Sequence, residues 1–116
     1  MSAIVSIKEV KVNNLPLALE VAKGMNYKEM ASKSIRGSGS GKVDYAFDIN
    51  GYKNFGFRLN KEGTYDIVCD DDTLKTVQSG FVVNYVKEFA LNAIKLQGKT
   101  HVINETADFI TIEYDA

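Results

Sequence analysis

The chain has no tryptophan, one proline, one cysteine and one histidine among its 116 residues, and each scarcity removes a class of function. Cys69 cannot close an intramolecular disulfide, and with only His101 beside it the chain cannot assemble a zinc tetrad of cysteine and histidine ligands. No apolar run approaches the roughly 20 residues that span a bilayer, and the first residues lack a basic region followed by a long apolar block. The expectation is a mature, soluble chain in a reducing cytoplasm, with no membrane partner. An excess of one charge is missing too. The chain holds 14 Lys and Arg against 15 Asp and Glu, a formal net charge of -1 at pH 7. That balance creates no field that would draw in a phosphate backbone, so nucleic-acid binding is disfavoured.

What is present describes an ordinary globular protein: 45% hydrophobic and 25% charged residues. At this length, residues 1–116 are expected to form a single domain. Residues 3–12 are rich in β-branched side chains, with Ala3, Val5 and Ile7 in one phase and Val10 and Val12 in the other. A bulge near Lys8 and Glu9 reconciles the two phases, because an odd insertion flips the face a strand presents. Asn13, Asn14 and Pro16 then mark a helix start, Ala18, Val21, Ala22 and Met25 fall at helical spacing, and Gly24 suits a left-handed closing position.

From Val43 the period becomes two. Val43, Tyr45, Phe47 and Ile49 alternate with Asp44, Ala46 and Asp48, which predicts a strand with one wet face. Asn50-Gly51 turns the chain, Phe55, Phe57 and Leu59 continue the alternation, Lys61-Glu62-Gly63 turns it again, and Tyr65, Ile67 and Cys69 give a third run. Phe81, Val82, Tyr85, Val86, Phe89, Ala90, Ala93 and Ile94 form the apolar stripe of the longest helix, ended by Gly98. Gly80 weakens its first turn, so its ordered part is expected from Ser79. Two final strands flank residues 105–108, and residues 26–36 offer one further strand beside the meander. The order predicts an α+β fold, a two-layer sandwich in which an antiparallel sheet carries two helices on one face.

The stretch SIRGSGSGKV, residues 34–43, contains the Gly-Lys pair of a phosphate-binding loop. That motif also needs an earlier glycine where Arg36 stands, a hydroxyl where Val43 stands, and a helix directly after it. A strand follows instead, so the stretch reads as a loop ahead of the meander. With its flank, Lys28, Lys33, Arg36 and Lys42 form a local basic arm suited to an acidic partner.

Asp66, Asp70, Asp71 and Asp72 are the densest acidic group, but their spacing does not match a calcium loop. Acids that precede a helix are also favoured by its macrodipole. Cys69 shares its phase with Tyr65 and Ile67, as a buried thiol would, and only His101 could act as its base. The tyrosines and phenylalanines fall mostly on core positions. Tyr52, in the turn after Asn50-Gly51, and Tyr27 are the two expected to be exposed.

Ile35-Arg36-Gly37, Ala46 to Ile49, Gly56 to Asn60, Tyr65 to Asp70 and Tyr85 to Gly98 resemble the segments of a hypothetical chloroplast reading-frame family. It is number thirty-five of the plastid series, found in plastids, cyanobacteria and other bacteria. Its members open with a short strand containing serine and threonine, and residues 1–7 here resemble that strand, with two serines. The resemblance implies the same fold and a cytosolic or stromal location, and it implies no reaction, because the family is a domain of unknown function. After Asp70 its members carry bulky aromatics where this chain carries Asp71, Asp72 and Thr73.

The reading reached from the residues is a small non-enzymatic binding protein, an adaptor, regulator or inhibitor. Its expected protein-partner contacts are Lys33, Arg36, Lys42 and Tyr52, with no cofactor and no catalytic set. The rival is a metal-dependent enzyme built on Asp66 and Asp70 to Asp72.

Overall fold

The computed structural model describes residues 3–36, 41–51, 53–97, 101–105 and 110–114, with backbone alone from residue 95 onward. In chain order the elements are β1 (Ile4–Val12), α1 (Leu15–Gly24), β2 (Lys28–Glu29), β3 (Tyr45–Asp48), β4 (Asn54–Leu59) and β5 (Tyr65–Asp70). Then α2 (Leu74–Val77), a π-helical turn (Gln78–Val82) and α3 (Val83–Gln97) run on as one rod, followed by β6 (His101–Glu105) and β7 (Ile110–Tyr114). Five strands pair antiparallel in the order β1-β5-β4-β3-β2. β1 and β2 therefore lie at opposite edges, and α1 carries the chain between them. Both helical segments bury their apolar stripes on one sheet face, so the expected α+β sandwich is the architecture found.

The two phases of β1 are reconciled where the sequence requires it. Ile7 lies opposite Ile67 and Lys11 opposite the adjacent Asp66, so residues 8–10 loop out of the ladder. Three extra residues flip the phase as one would, and both Ile7 and Val12 end beneath the helices, at 2% and 0% exposure. The predicted cap of α1 is present. Asn14 Oδ1 accepts the Leu17 N–H at 3.2 Å. The closing residue differs from expectation: the left-handed position belongs to Asn26, at φ 63, two residues after Gly24. The helix first ends through Met25, whose N–H reaches the Val21 and Ala22 carbonyls, which postpones the reversal to an asparagine that tolerates it.

The long rod also begins earlier than Ser79. Asp70 Oδ1 accepts the Thr73 N–H at 2.8 Å, which fixes a start at Leu74. Gly80 does not break the rod because it falls within the π turn, where Asn84 Nδ2 donates to its carbonyl at 2.9 Å. That turn sets Phe81 onto the centre of the core, with ring centroids 5.0 Å from Phe55 and 5.3 Å from Phe57. Such ring pairs stabilise by about 0.5–1.5 kcal/mol beyond their buried area.

Tyr27 is not an exposed contact residue. Its ring stands edge-on to Phe55 at 5.7 Å, and burial pushes the pKa of its hydroxyl up. The second half of the expected 26–36 strand does not form either. Lys28 and Glu29 form the ladder with β3, opposite Asp48 and Phe47, and the regular pairing goes no further than a hydrogen bond from Met30.

The alternation read from Val43 also breaks. The chain kinks at Asp44, whose N–H donates to the Phe57 carbonyl at 2.8 Å, and this turns Val43 to the face opposite Phe47. That face was expected to be wet. Instead Ala46 and Val68 are fully buried on it, beneath Ile35 and Val43 at 7% exposure each, with Ile4 and Met30 against them. The segment returning from β2 covers the centre of the sheet's second face, over Ala46 and Val68. Among the described residues, β6 and β7 pair with each other as a separate two-stranded sheet. Among the described residues, no helix is long and apolar enough to cross a membrane.

Candidate functional site

The covering segment, residues 30–36 and 41–43, contains three of the four expected contact residues, and its construction follows from local chemistry. Met30 continues the pairing of β2 by donating its N–H to the Ala46 carbonyl at 2.8 Å. The chain then leaves the edge and crosses the outer face. Ser34 bridges Lys42 in an antiparallel pair, the Ile35 N–H reaches the Gly41 carbonyl at 2.9 Å, and the Val43 N–H reaches the Lys33 carbonyl at 3.0 Å. The result is a two-legged arm. Residues 37–40, the centre of the glycine-rich stretch, lie outside the described residues.

Each leg has one apolar anchor, Ile35 on the outgoing side and Val43 on the return. Polar contacts lock the same legs. Buried Asn54 accepts the Arg36 N–H through Oδ1 at 3.1 Å, Arg36 Nη2 donates to the Gly51 carbonyl at 3.2 Å, and Arg58 Nε donates to the Lys42 carbonyl at 2.9 Å. Beneath the return leg, Gly56 makes room for Val43. A Cβ built on Gly56 would lie 2.7 Å from Val43 Cγ2 and 2.6 Å from the Tyr45 carbonyl oxygen. No larger residue fits there without displacement.

Lys33 and Lys42 stand exposed on opposite legs, and neither forms an ion pair with a described carboxylate. Arg36 is also exposed, and its guanidinium holds the arm to the β3–β4 turn. Tyr52 belongs to that turn by sequence and lies outside the described residues. Asn54, Arg58 and the two anchors were missed as parts of the site. Their signal is visible in retrospect, since a β-branched residue flanks the glycine run on each side, and such residues are poor choices for a solvated loop. The phosphate-loop reading fails on geometry as it did on residues, because Gly41, Lys42 and Val43 lead into a strand.

The acidic group divides. Asp70, Asp71 and Asp72 bring a carboxylate oxygen each within 4.8 Å of one another. Asp66 lies four residues back along β5, about 13 Å away at strand rise. It is committed elsewhere: Lys11 Nζ lies 2.7 Å from its Oδ1, and Asn60 Nδ2 donates to the same oxygen at 3.1 Å. The hydrogen bond from Lys11 is the largest influence holding the Asp66 pKa below its ordinary value. Two of the clustered three already have structural duties. Asp70 caps Thr73, and Asp71 Oδ1 accepts the Ala3 N–H at 3.3 Å.

Cys69 is fully buried among the helix-facing residues. Burial, followed by the charges of Asp70 and Asp71, pushes its pKa up to about 12, so the thiol stays protonated at neutral pH. His101, its one conceivable base, opens β6 in the separate two-stranded sheet, and its side chain lies outside the described residues.

Comparison with protein-family models, with curated proteins and with solved structures finds no match to this chain.

Proposed function

We propose that this chain is a small non-enzymatic binding protein that meets an acidic surface of a protein partner through the arm at residues 30–43. One observation carries the proposal: the arm's legs are anchored by buried Ile35 and Val43, while Lys33 and Lys42 project from them without ion pairs to described carboxylates. Two cations held on a rigid base lose little side-chain entropy relative to cations on a mobile loop, so more of their attraction is kept on binding. The lysine positions also fit a contact that steers encounter, because exposed charges act on association rate more than on final affinity. The resemblance to the plastid reading-frame family adds a cytosolic or stromal setting to the proposal and no reaction.

The test is affinity purification of the tagged chain from its native lysate at low and moderate salt, beside the double variant Lys33→Glu with Lys42→Glu. The expected result is a stoichiometric protein retained at low salt by the wild type and lost with the variant, at an unchanged thermal midpoint. A partner held equally by both chains removes the arm from the contact. Absence of any retained protein counts against the adaptor reading itself.

A further inference from the structure

We propose that the free edge of β1, over residues 3–7, pairs antiparallel with the same edge of a second copy of this chain, joining two five-stranded sheets into one. The outward direction of the free groups follows from the ladder. The Asp71 N–H donates to the Ala3 carbonyl at 2.8 Å, so the main-chain polar groups of Ala3 point toward β5. In an antiparallel pair this direction alternates residue by residue, so Val5 and Ile7 also point inward, opposite Cys69 and Ile67. Ile4 and Ser6 point the other way. Among the described residues no strand lies on that side of β1. Two N–H groups and two carbonyls are therefore presented in a row.

The remaining edges of the five-stranded sheet carry the devices that prevent such pairing. Beyond Ile7, the β1 edge is interrupted where Lys8, Glu9 and Val10 loop out, and Lys11 follows. At the opposite edge, β2 consists of only two residues, both charged, Lys28 and Glu29. Residues 3–7, Ala-Ile-Val-Ser-Ile, contain no charge, no proline and no bulge. This is the strand segment of the sheet left open to addition.

The alternation of outward groups lets a second copy occupy this edge in register, and the absence of charge leaves no repulsion between copies. A two-fold axis through Val5 sets Ile4 of each chain opposite Ser6 of the other, so outward groups meet outward groups in four hydrogen bonds. It also sets Ala3 opposite Ile7, which keeps residues of one face together across the junction. Both helical layers then lie on the same side of one continuous sheet, and the contact closes on itself as an isologous dimer. No like charges face each other at the junction.

Sedimentation velocity of the full chain over a wide concentration range, with Ser6→Pro as the comparison, tests this. Proline at position 6 removes an outward N–H and leaves the β1–β5 ladder its donors. The expected result is a wild-type monomer–dimer equilibrium and a Ser6→Pro chain that is monomeric throughout, with the same circular dichroism spectrum. A wild type that stays monomeric overturns the proposal, as does a Ser6→Pro chain that dimerises as the wild type does. Should Ser6→Pro fail to fold, amide exchange in the wild type decides. Exchange at Ile4 and Ser6 that slows with concentration, while Val5 and Ile7 stay constant, supports the edge contact. Dimerisation without that slowing places the contact elsewhere and overturns it.

Discussion

Replacing Gly56 with alanine, alone and together with Val43→Ala, tests whether the basic arm is packed on the outer sheet face. In the single variant Gly56→Ala, the new methyl group would lie 2.6 Å from the Tyr45 carbonyl oxygen and 2.7 and 2.8 Å from the two Val43 methyls. These distances are shorter than a carbon contact allows, so the arm or the strand must shift, a form of overpacking that costs about 1–3 kcal/mol. Val43→Ala removes two methyl groups from a site only 7% exposed. At about 0.8 kcal/mol for each carbon, and a further increment for the cavity, the expected loss is about 2 kcal/mol. In the double variant two of the three close contacts vanish and only the carbonyl remains. The double loss should therefore fall short of the sum of the single losses by about 1 kcal/mol, beyond the roughly 0.3–0.5 kcal/mol within which independent sites add. Urea unfolding followed by circular dichroism measures all four free energies. Additive losses would refute the packing of Val43 on Gly56, and with it the anchored arm. A Gly56→Ala variant as stable as wild type would do so sooner.

Asp66→Asn should flatten the acid limb of the stability curve. The folded-state pKa of Asp66 is depressed, so its contribution is present above the unfolded value of 3.8 and lost as pH falls through the folded one; the exposed pair with Lys11 limits the effect to about 0.2–1 kcal/mol. A variant whose stability falls below about pH 4 as steeply as wild type would contradict that linkage. Two glycines should respond in opposite directions to alanine. Gly24 is helical, and a Cβ added there would meet nothing within 4 Å, so Gly24→Ala should stabilise by about 0.5–1 kcal/mol, whereas Gly63→Ala, at φ +86, should destabilise by about 1 kcal/mol; chemical denaturation that gives both the same sign would sink the assignment. Cys69 should resist a disulfide reagent at neutral pH until the chain unfolds, and rapid labelling of the native protein would show that the thiol is neither buried nor held protonated.

The meander was legible because its information is local. Phe55, Phe57, Ile67 and Cys69 alternate in strands between turns marked by Gly51 and Gly63, both at positive φ, and each pairing joins neighbours in the chain. The β1 irregularity was legible for a similar reason: the change of phase between Ile7 and Val10 is written in the order of residues, although the number looped out is not. The outer-face closure was not legible. It depends on Val43 turning away from the phase of Tyr45 at a kink made by one hydrogen bond between Asp44 and Phe57, and no periodicity encodes a bond between strands. Tyr27 was misread as exposed for the same reason, because its partner, Phe55, lies 28 positions away in the chain. Of the proposed contact residues, Lys33 and Lys42 needed only a charge and a loop for their exposure to be expected. The role of Arg36 required knowing where the Gly51 carbonyl would be.

Packing on both sheet faces limits where this protein can bind. Helices cover Phe47, Phe55, Phe57 and Ile67 on one side, and the arm covers Ala46 and Val68 on the other. A partner cannot insert between these layers without exposing fully buried side chains, at about 1.5–3 kcal/mol for each large one. The two proposed contacts accordingly use what projects and what is unpaired. The arm supplies projection: its apolar anchors face inward, so reversing Lys33 and Lys42 changes the surface potential while leaving the packing intact. The β1 edge supplies unpaired main chain, and its specificity comes from register rather than from charge. The two surfaces consequently differ in their response to salt. Added salt should weaken a contact made through the arm, because exposed charges are screened over about 10 Å at 0.1 M ionic strength. It should leave pairing of the uncharged residues 3–7 nearly unchanged. Measuring partner retention and self-association across one salt series separates the two, and a common salt dependence would mean that a single surface serves both.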